Sequence, residues 1–259
     1  MSIDLPSTEI LSVNISRLNL QETVEQFCRW IDLHEKKRVC VTPVNCVLWA
    51  RRDETLREIY NSSDMNTADG VPLIWASKIL GGPIHGRVTG LDLLPAFAHV
   101  AAQKGYSFFF LGAAEGVAQH LADTLARLHP GLKIAGVYSP PFEKNFSSDE
   151  IAKMVSIVNS SKANVLWVSL TAPKQDIWIK ENFEKLNVNI AVGVGGAFEV
   201  TAGLIPRAPR WMQHWGLEWF FRFRQEPVRL FARYFIEAPS FLPLLAIEVM
   251  KRKVFAKSS

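Results

Sequence analysis

The chain has 259 residues, of which 48% are hydrophobic and 21% charged, with 15 Gly and 14 Pro. These values lie near the averages of soluble globular proteins and exclude the disordered, collagen-like and coiled-coil classes. The length predicts one large domain or two small ones. Residues 1–4 form neither a basic nor an apolar region, so we expect no secretory signal and a cytoplasmic protein. The three cysteines form no C-x-x-C pair, which predicts reduced, partly buried thiols.

The positive charge is concentrated near the C-terminus. From Pro206 onward there are ten Lys and Arg and four Glu, a net charge of +6, whereas residues 1–205 carry −2. A basic tail is expected to meet an anionic partner: a phosphate, a nucleic acid or a membrane surface. Its longest uncharged stretch, residues 238–247, is about half the length of a membrane-spanning helix and holds two prolines, so we expect it not to cross a bilayer.

Helical and strand patterns alternate along most of the chain. Residues 21–33 carry apolar side chains at helical spacing behind Asn19, a residue type that caps helices, and the β-branched run 38–42 follows as a buried strand. The same alternation predicts strands at 107–112, 133–138, 163–170 and 189–194, and helices at 117–128, 149–159 and 174–186. Apolar strands alternating with helices indicate a parallel sheet covered by helices on both faces, so the predicted fold class is α/β and Rossmann-like.

The strand patterns stop after Gly203. Residues 209–257 are helical in pattern, aromatic and basic, which predicts an appendage of two or three helices. Trp211, Trp215 and Trp219, spaced four apart, are expected to form the packed face of one helix. We therefore predict two domains, an α/β body over residues 1–205 and a C-terminal helical appendage over residues 206–259.

Glycine and polar residues follow several predicted strands, where an open α/β sheet binds its ligand. Gly112 and Gly116 end a strand and open a helix, so they either hold a phosphate or ribose or allow tight packing. The glycines at 193–196 favour close approach of a ligand to the backbone. Neither the G-x-G-x-x-G nor the P-loop spacing occurs, so a dinucleotide site or a P-loop is not expected.

Two charged residues lie in apolar or glycine-rich surroundings. Asp69 either caps a helix or belongs to a ligand site, and Arg87 either pairs with Asp92 or binds an anion. The six histidines lack metal-ligand spacing, and no two aspartates lie two apart as in the Asp-x-Asp motif that holds a divalent ion on a diphosphate. We therefore expect no metal and no cofactor.

Short motifs in a fixed order give the chain its resemblance to a known family. They are Thr42-Pro, 68–75 (ADGVPLIW), 87–92 (RVTGLD), 111–118 (LGAAEGVA), 172–178 (APKQDIW), 193–199 (GVGGAFE), Ala202-Gly203, 207–209 (RAP), 216–219 (GLEW), 225–227 (QEP) and Arg233-Tyr234. Over about residues 10 to 236 their number and order resemble the WecG/TagA/CpsF family, glycosyltransferase family 26.

The resemblance implies an inverting glycosyltransferase with a Rossmann-like fold of the GT-E type, whose appendage completes the active site and contacts the membrane. The implied donor is a UDP-sugar (UDP-N-acetylmannosamine, its uronic acid or UDP-glucose), and the acceptor is a sugar linked to polyprenyl diphosphate in the synthesis of cell-surface polysaccharide. The implied location is the inner face of the cell membrane, where the tail meets an anionic surface. No nucleic-acid partner is expected, and a homo-oligomer is left open.

The resemblance also assigns residues by motif. Asp69 matches the catalytic base and Thr42 a substrate-pocket residue, and the two are predicted to be the catalytic residues. Substrate-binding roles fall to Asn45, Arg87, Gly112, Gln175, Gly195, Arg222, Arg229 and Arg233, with Arg222 and Arg229 matched to the diphosphate.

Two functions of other classes also fit part of the pattern. A nucleotide-cofactor oxidoreductase fits the α/β alternation, but the missing G-x-G-x-x-G weakens this interpretation. A nucleic-acid-binding module fits the alternating Trp and Arg of the tail, which offer stacking and phosphate contacts. The apolar content of residues 241–247 favours a lipid surface instead.

Overall fold

A computed structural model describes residues 5–258, with side chains up to Val254. The sequence-based expectation of no secretory signal rests on residues 1–4, which lie outside the described residues. Cys28, Cys40 and Cys46 are buried and unpaired, as predicted.

The centre of the fold is a six-stranded parallel sheet, which confirms the predicted α/β class. A short antiparallel hairpin precedes it, formed by β1 (Ser7–Ile10) and β2 (Val13–Ser16). The sheet strands are β3 (Lys37–Pro43), β4 (Met65–Asp69), β5 (Ser107–Gly112), β6 (Lys133–Tyr138), β7 (Val165–Ser169) and β8 (Ile190–Gly193). Their spatial order is β4-β3-β8-β7-β5-β6.

Helices connect the strands and cover both faces of the sheet. They are α1 (Leu20–Asp32), α2 (Val44–Arg52), α3 (Glu54–Asn61), α4 (Val71–Ile79), α5 (Gly90–Lys104), α6 (Val117–Leu128), α7 (Ser148–Ser161), α8 (Lys174–Asn182) and α9 (Ala197–Thr201). The strands β5 and β6 and the helix α6 have the predicted bounds. Asn19 caps α1 as predicted, and Glu22 completes a capping box by accepting a hydrogen bond from the Asn19 N–H.

The hairpin and strand β4 were not predicted. β4 carries Asn66 and Thr67, which are both buried and whose side chains are hydrogen-bonded. The Asn66 amide donates to the carbonyls of Asn14 and Tyr60, each at 2.8 Å, and the Thr67 hydroxyl donates to the carbonyl of Val88 at 3.0 Å. Buried polar side chains cost little when they are hydrogen-bonded, so this strand lacks the apolar pattern that identified the others.

The core lies on both faces of the sheet. On one face Phe27, Phe97, Phe108 and Trp167 pack as a continuous aromatic cluster with ring centroids 5.2–6.5 Å apart. On the other face, under α2 and α3, a second cluster includes apolar residues of the hairpin and Phe241 from the C-terminal part of the chain. Burial of such side chains is worth about 1.5–3 kcal/mol each.

Beyond Gly203 the described residues form no strand, as predicted, but four α-helices rather than the predicted two or three. They are α10 (Arg210–His214), α11 (Glu218–Gln225), α12 (Pro227–Phe231) and α13 (Phe241–Ser258), and the turns between α12 and α13 are also helical. The expected packed Trp face is wrong, because α10 and α11 are separate helices and Trp211 and Trp215 are exposed. The start of α13 instead packs on the hairpin, where Glu248 accepts a hydrogen bond from the Leu11 N–H at 2.8 Å.

From Pro227 to Val254 the helical segment is continuous for 28 residues. By length and composition it is long and apolar enough to cross a membrane: its mean hydropathy reaches 1.4 over 18 residues, of which 17% are buried. The expectation that the tail is too short is therefore wrong. That expectation counted only the uncharged run of residues 238–247, whereas the helix continues through Pro239 and Pro243 by way of π and 3-10 turns. Core helices of soluble proteins satisfy the same length and composition, and Phe241 and Leu245 are buried against the body.

Candidate active site

A cavity of about 940 Å³ opens at the carboxyl ends of β3, β4, β7 and β8, with the C-terminal helices forming its other wall. This is where an open parallel sheet binds its ligands. Eight of the ten residues predicted from the sequence line it: Asn45, Asp69, Arg87, Gln175, Gly195, Arg222, Arg229 and Arg233. The fold therefore brings together residues from six separate parts of the chain.

Thr42 and Gly112 do not line the cavity. Thr42 is fully buried in β3, and its hydroxyl donates to the carbonyl of Cys40 at 3.2 Å. Gly112 ends β5 with φ +111°, and a Cβ atom there would collide with the carbonyl group of Ser169 on β7. Of the two interpretations of Gly112, the contacts favour tight packing.

Asp69 ends β4 and faces the cavity. It is not a helix cap, because Gly70 is the N-cap of α4 and that helix has no side-chain cap. Its carboxylate has no hydrogen bond or ion pair with any described side chain. Burial raises the pKa of Asp69 to about 6, the positive charges of Arg87 and Arg233 oppose this rise, and nearby carboxylates add to it. Such a carboxylate can accept a proton near neutral pH.

Arg87 is held in a closed ring of four ion pairs. Its Nη1 lies 3.1 Å from Glu218 Oε2, and its Nη2 lies 3.5 Å from Asp92 Oδ2. Arg207 closes the ring, with Nε 2.9 Å from Glu218 Oε1 and Nη2 2.6 Å from Asp92 Oδ1. Pairing of Arg87 with Asp92 is thus present, and Arg87 also lines the cavity. Both alternatives given for Arg87 remain compatible with this geometry.

Gln175 is fixed at the start of α8 by the glycine loop after β8. The Gly195 N–H donates to Gln175 Oε1 at 2.9 Å. A Cβ atom at Gly193 would lie 2.7 Å from Gln175 Nε2, so only glycine leaves room for the amide. The glycines therefore position a polar side chain of the cavity wall.

The three C-terminal arginines reach the cavity from different helical segments. Pro227 begins a new helix, so Arg222 and Arg229 lie on α11 and α12 respectively. Arg229 pairs with Glu226 at 2.5 Å, and Arg233 Nη2 donates to Asn45 Oδ1 at 2.8 Å. Within the part of the chain whose side chains are described, the Arg222 guanidinium has no hydrogen-bond or ion-pair partner. It is available to an anionic ligand.

Glu218 was assigned no site role from the sequence, although it lies within the 216–219 (GLEW) motif. It lies on the first turn of α11, is buried, and lines the cavity with the aromatic residues Trp75 and Trp215. A further sign of a role for Glu218 in the sequence is its carboxylate within an otherwise aromatic and basic segment. Among the described residues no group of three or more His, Cys, Asp and Glu side chains is placed to hold a metal ion.

Comparison with known proteins identifies the family. The profile of the glycosyl transferase WecG/TagA/CpsF family matches residues 8–255. Three relatives carry the name N-acetylglucosaminyldiphosphoundecaprenol N-acetyl-beta-D-mannosaminyltransferase. The protein of Bacillus spizizenii W23 is 31% identical over 70% of this chain and 68% of its own length. That of Bacillus subtilis 168 is 26% identical over 80% and 77%. That of Staphylococcus aureus NCTC 8325 is 24% identical over 83% of each.

The matched region includes every residue that lines the cavity, from Val41 to Ala238. With this match and the α/β sheet, the chain belongs to the WecG/TagA/CpsF family and is a glycosyltransferase.

Proposed function

We propose that the chain transfers a sugar from a UDP-sugar to a sugar carried on polyprenyl diphosphate, with inversion at the anomeric carbon and without a metal ion. The names of the relatives favour N-acetylmannosamine as the transferred sugar and an N-acetylglucosaminyl diphospholipid as the acceptor. UDP-glucose and the uronic acid of UDP-N-acetylmannosamine are the other donors to be tested.

The observation that carries this proposal is the free carboxylate of Asp69 in the same cavity as Arg222, Arg229 and Arg233. In direct displacement, an acceptor hydroxyl forms a bond to the anomeric carbon while the bond from that carbon to UDP breaks. Asp69 accepts the hydroxyl proton, and UDP leaves with the bonding electrons. A base contributes about 10²–10⁴ in rate to such a step.

The arginines supply the positive charge that the leaving diphosphate requires. A guanidinium is permanently charged and can bind phosphate through two parallel hydrogen bonds. Among the described side chains Arg222 is unpaired and Arg229 pairs only with Glu226, three residues away, so both can turn to a diphosphate at small cost. This arrangement supports the proposed metal independence.

The acceptor lipid implies a membrane surface, and the C-terminal helices carry exposed apolar residues suited to one. These include Val228, Phe231, Ile236, Leu242 and Met250. We propose that residues 206–259 form an appendage that lies on the inner face of the cell membrane through these apolar residues. Phe241, Leu245 and Glu248 hold the appendage to the body formed by residues 1–205.

A donor panel tests the proposed reaction. The full chain is incubated with a short-chain polyprenyl-diphosphate N-acetylglucosamine and each of the three UDP-sugars, and products are identified by mass and by the anomeric configuration. We expect a β-linked N-acetylmannosaminyl product. Formation of an α-linked product, or of none from any of the donors, contradicts the proposal.

The role of Asp69 is tested in the same assay. Asp69→Asn keeps the side-chain volume but removes the proton acceptor, so we expect turnover to fall at least about 10²-fold while UDP-sugar binding persists. The matched control is Asp123→Asn on the exposed face of α6, which should keep wild-type turnover. Wild-type kcat in Asp69→Asn would show that the base lies elsewhere.

A further inference from the structure

Asp69 and Arg87 face the same cavity without forming an ion pair, although each carries the charge that the other would bind. The reason is visible at Arg87. Both terminal nitrogens of its guanidinium are engaged, one by Glu218 and the other by Asp92. Arg87 is therefore held by two carboxylates other than the one that the proposed reaction uses.

Glu218 occupies a special place in this ring because it comes from the C-terminal helices, 131 residues away from Arg87 in sequence. Its side chain is 11% exposed, and its two oxygens bind two different arginines. Asp92, on the opposite side, is fixed in the first turn of α5, where its carboxylate accepts a hydrogen bond from the capping residue Thr89. The ring thus spans from the sheet edge to the first turn of α11.

We propose that Glu218 is a positioning residue: docked against the sheet, it holds Arg87 in the ion-pair ring and away from Asp69, which leaves the Asp69 carboxylate unpaired and able to accept a proton. This inference rests on the proposed function for the identity of the base. Its physical content, a restraint on Arg87 that changes the basicity of Asp69, is independent of which sugar is transferred.

The proposal follows from the charges around Asp69. A free guanidinium within about 4–6 Å of a carboxylate lowers its pKa by 1–3 units. An Asp69 carboxylate with so low a pKa would be a poor base. The groups that face Asp69 come from every neighbouring element: Arg87, Asp92, Glu218, Arg233, Tyr234 and Cys46. Of these, Glu218 and Asp92 both carry negative charge that opposes ionisation of Asp69, and both also engage Arg87.

The test measures the Asp69 ionisation without substrate. Unfolding free energies are measured from pH 4 to 8 for wild type and Asp69→Asn. Their difference changes between the pKa values of Asp69 in the unfolded and folded states, and a fit to it gives the folded-state pKa, which is the titration midpoint of Asp69 in the folded protein. The same pair is then measured in the Glu218→Gln background. We expect the midpoint to lie near pH 6 in the wild-type background and about one unit lower with Glu218→Gln.

The matched control is Glu226→Gln, which removes a second carboxylate that lines the same cavity and pairs with an arginine of the C-terminal helices. It should leave the Asp69 midpoint unchanged. An unchanged midpoint with Glu218→Gln, or an equal shift with Glu226→Gln, overturns the proposal.

Two further variants separate the restraint on Arg87 from the direct charge of Glu218. Arg87→Gln is added to all four proteins, that is, to wild type and Asp69→Asn with and without Glu218→Gln. The shift of the Asp69 midpoint caused by Glu218→Gln should then fall to less than half, because no guanidinium is released toward Asp69. A full effect without Arg87 contradicts the proposed route. If Glu218→Gln does not fold, Asp92→Asn opens the other side of the ring and should shift the midpoint in the same direction. No shift in Asp92→Asn also overturns the proposal.

The pH profile of kcat/KM provides the link to the reaction. Its acidic limb should move with the Asp69 midpoint in each variant. If the midpoint moves but no sugar is transferred by the wild type, the proposed function fails and the positioning role stands. If sugar is transferred and Glu218→Gln leaves both the midpoint and the acidic limb in place, the positioning role fails alone.

Discussion

Arg233 donates a hydrogen bond from Nη2 to Oδ1 of Asn45 at 2.8 Å and so joins the C-terminal helical segment to the first turn of α2, 188 residues earlier. Asn45 is buried, and its Nδ2 has no hydrogen-bond partner in the described structure. The amide is therefore oriented by Arg233 on one side and left open on the other. An unpaired buried donor at a cavity wall is suited to a ligand oxygen.

The first prediction concerns this hydrogen bond. Arg233→Met removes the partner of a buried amide oxygen, which costs about 1–3 kcal/mol of unfolding free energy. The matched control is Arg229→Met, whose partner Glu226 lies three residues away on an exposed turn, and the expected loss there is below about 1 kcal/mol. Urea unfolding measures both. Equal losses would mean that the Arg233–Asn45 bond adds no stability of its own.

Asp176 provides a second prediction. It follows Gln175 in α8 and is buried; Oδ2 accepts a hydrogen bond from the Tyr60 hydroxyl at 3.1 Å, and Oδ1 has no hydrogen-bond partner among the described residues. Burial raises the pKa of Asp176 to about 7. Because the folded pKa exceeds the unfolded value, ionisation of Asp176 destabilises the fold progressively as the pH rises from about 4 to 7.

Asp176→Asn cannot ionise and keeps an acceptor for Tyr60. We therefore expect the unfolding free energy of the variant, relative to wild type, to rise between pH 5 and pH 8 by about 2 kcal/mol. Denaturant unfolding at several pH values measures this difference. A difference that stays flat with pH would show that Asp176 keeps one protonation state over this range.

A third prediction tests the packing role of Gly112. Gly112→Ala places a Cβ atom against the backbone of Ser169 and forces a left-handed φ of +111° on alanine, so we expect a loss of several kcal/mol, about 3 or more. Gly116→Ala is the control: its φ of +81° is also left-handed, but nothing lies within 4 Å of the new atom, and the expected loss is about 1–2 kcal/mol. Thermal unfolding compares the two. If the variants are equally stable, steric contact with Ser169 does not fix the glycine.

The parts of the fold that the sequence predicts well are those with a local signal. The apolar run of β5 and the amphipathic pattern of α6 have such a signal, and their bounds agree with the prediction. Strand β4 does not, because Asn66 and Thr67 are buried through hydrogen bonds to distant carbonyls that no local pattern reveals. The continuous helix through Pro239 and Pro243 was missed because prolines usually end a helix, whereas here the chain passes them by way of a π turn and a 3-10 turn that no local pattern reveals.

The candidate site shows the same division. Motif resemblance placed eight residues at the cavity, including Asp69 and Arg222. It assigned no role to Glu218, although Glu218 lies within the 216–219 motif, because the ion-pair ring is defined only when α11 docks near Arg87. Nor could it show that the Thr42 side chain is buried rather than open to the cavity. Both faces of β3 are buried, so its sequence has no alternation of apolar and polar residues that would tell one face from the other.

The fourth prediction concerns metal ions. With arginines rather than a divalent ion on the leaving diphosphate, turnover should survive dialysis against EDTA and should not rise when Mg²⁺ or Mn²⁺ is returned. The assay is the same sugar transfer, with a metal-dependent transferase treated in parallel to show that chelation is complete. Loss of turnover on chelation that Mg²⁺ restores would contradict the role given to Arg222 and Arg229.

The last prediction separates the basic residues at the end of the tail by what they contact. Lys251 and Lys253 are exposed, whereas Arg252 pairs with Glu248 and donates to the carbonyl of Glu9 at 2.9 Å. Arg252 therefore fastens α13 to the hairpin, whereas the described side chains of Lys251 and Lys253 are free to face a membrane. Each basic residue near an anionic leaflet contributes about 1 kcal/mol of binding free energy.

Replacing both Lys251 and Lys253 with Gln should thus weaken binding to vesicles of phosphatidylglycerol and phosphatidylcholine by about 10- to 30-fold at low salt. Turnover of a soluble, short-chain acceptor should stay at the wild-type value, because neither lysine lines the cavity. Arg252→Gln should instead lower the midpoint of thermal unfolding and change vesicle binding less than the double lysine variant does. Vesicle cosedimentation and thermal unfolding measure the two effects. If the lysine variant binds vesicles as wild type does, the tail is held by its apolar side chains alone; a salt-dependent complex with an oligonucleotide, without vesicle binding, would favour a nucleic-acid partner instead.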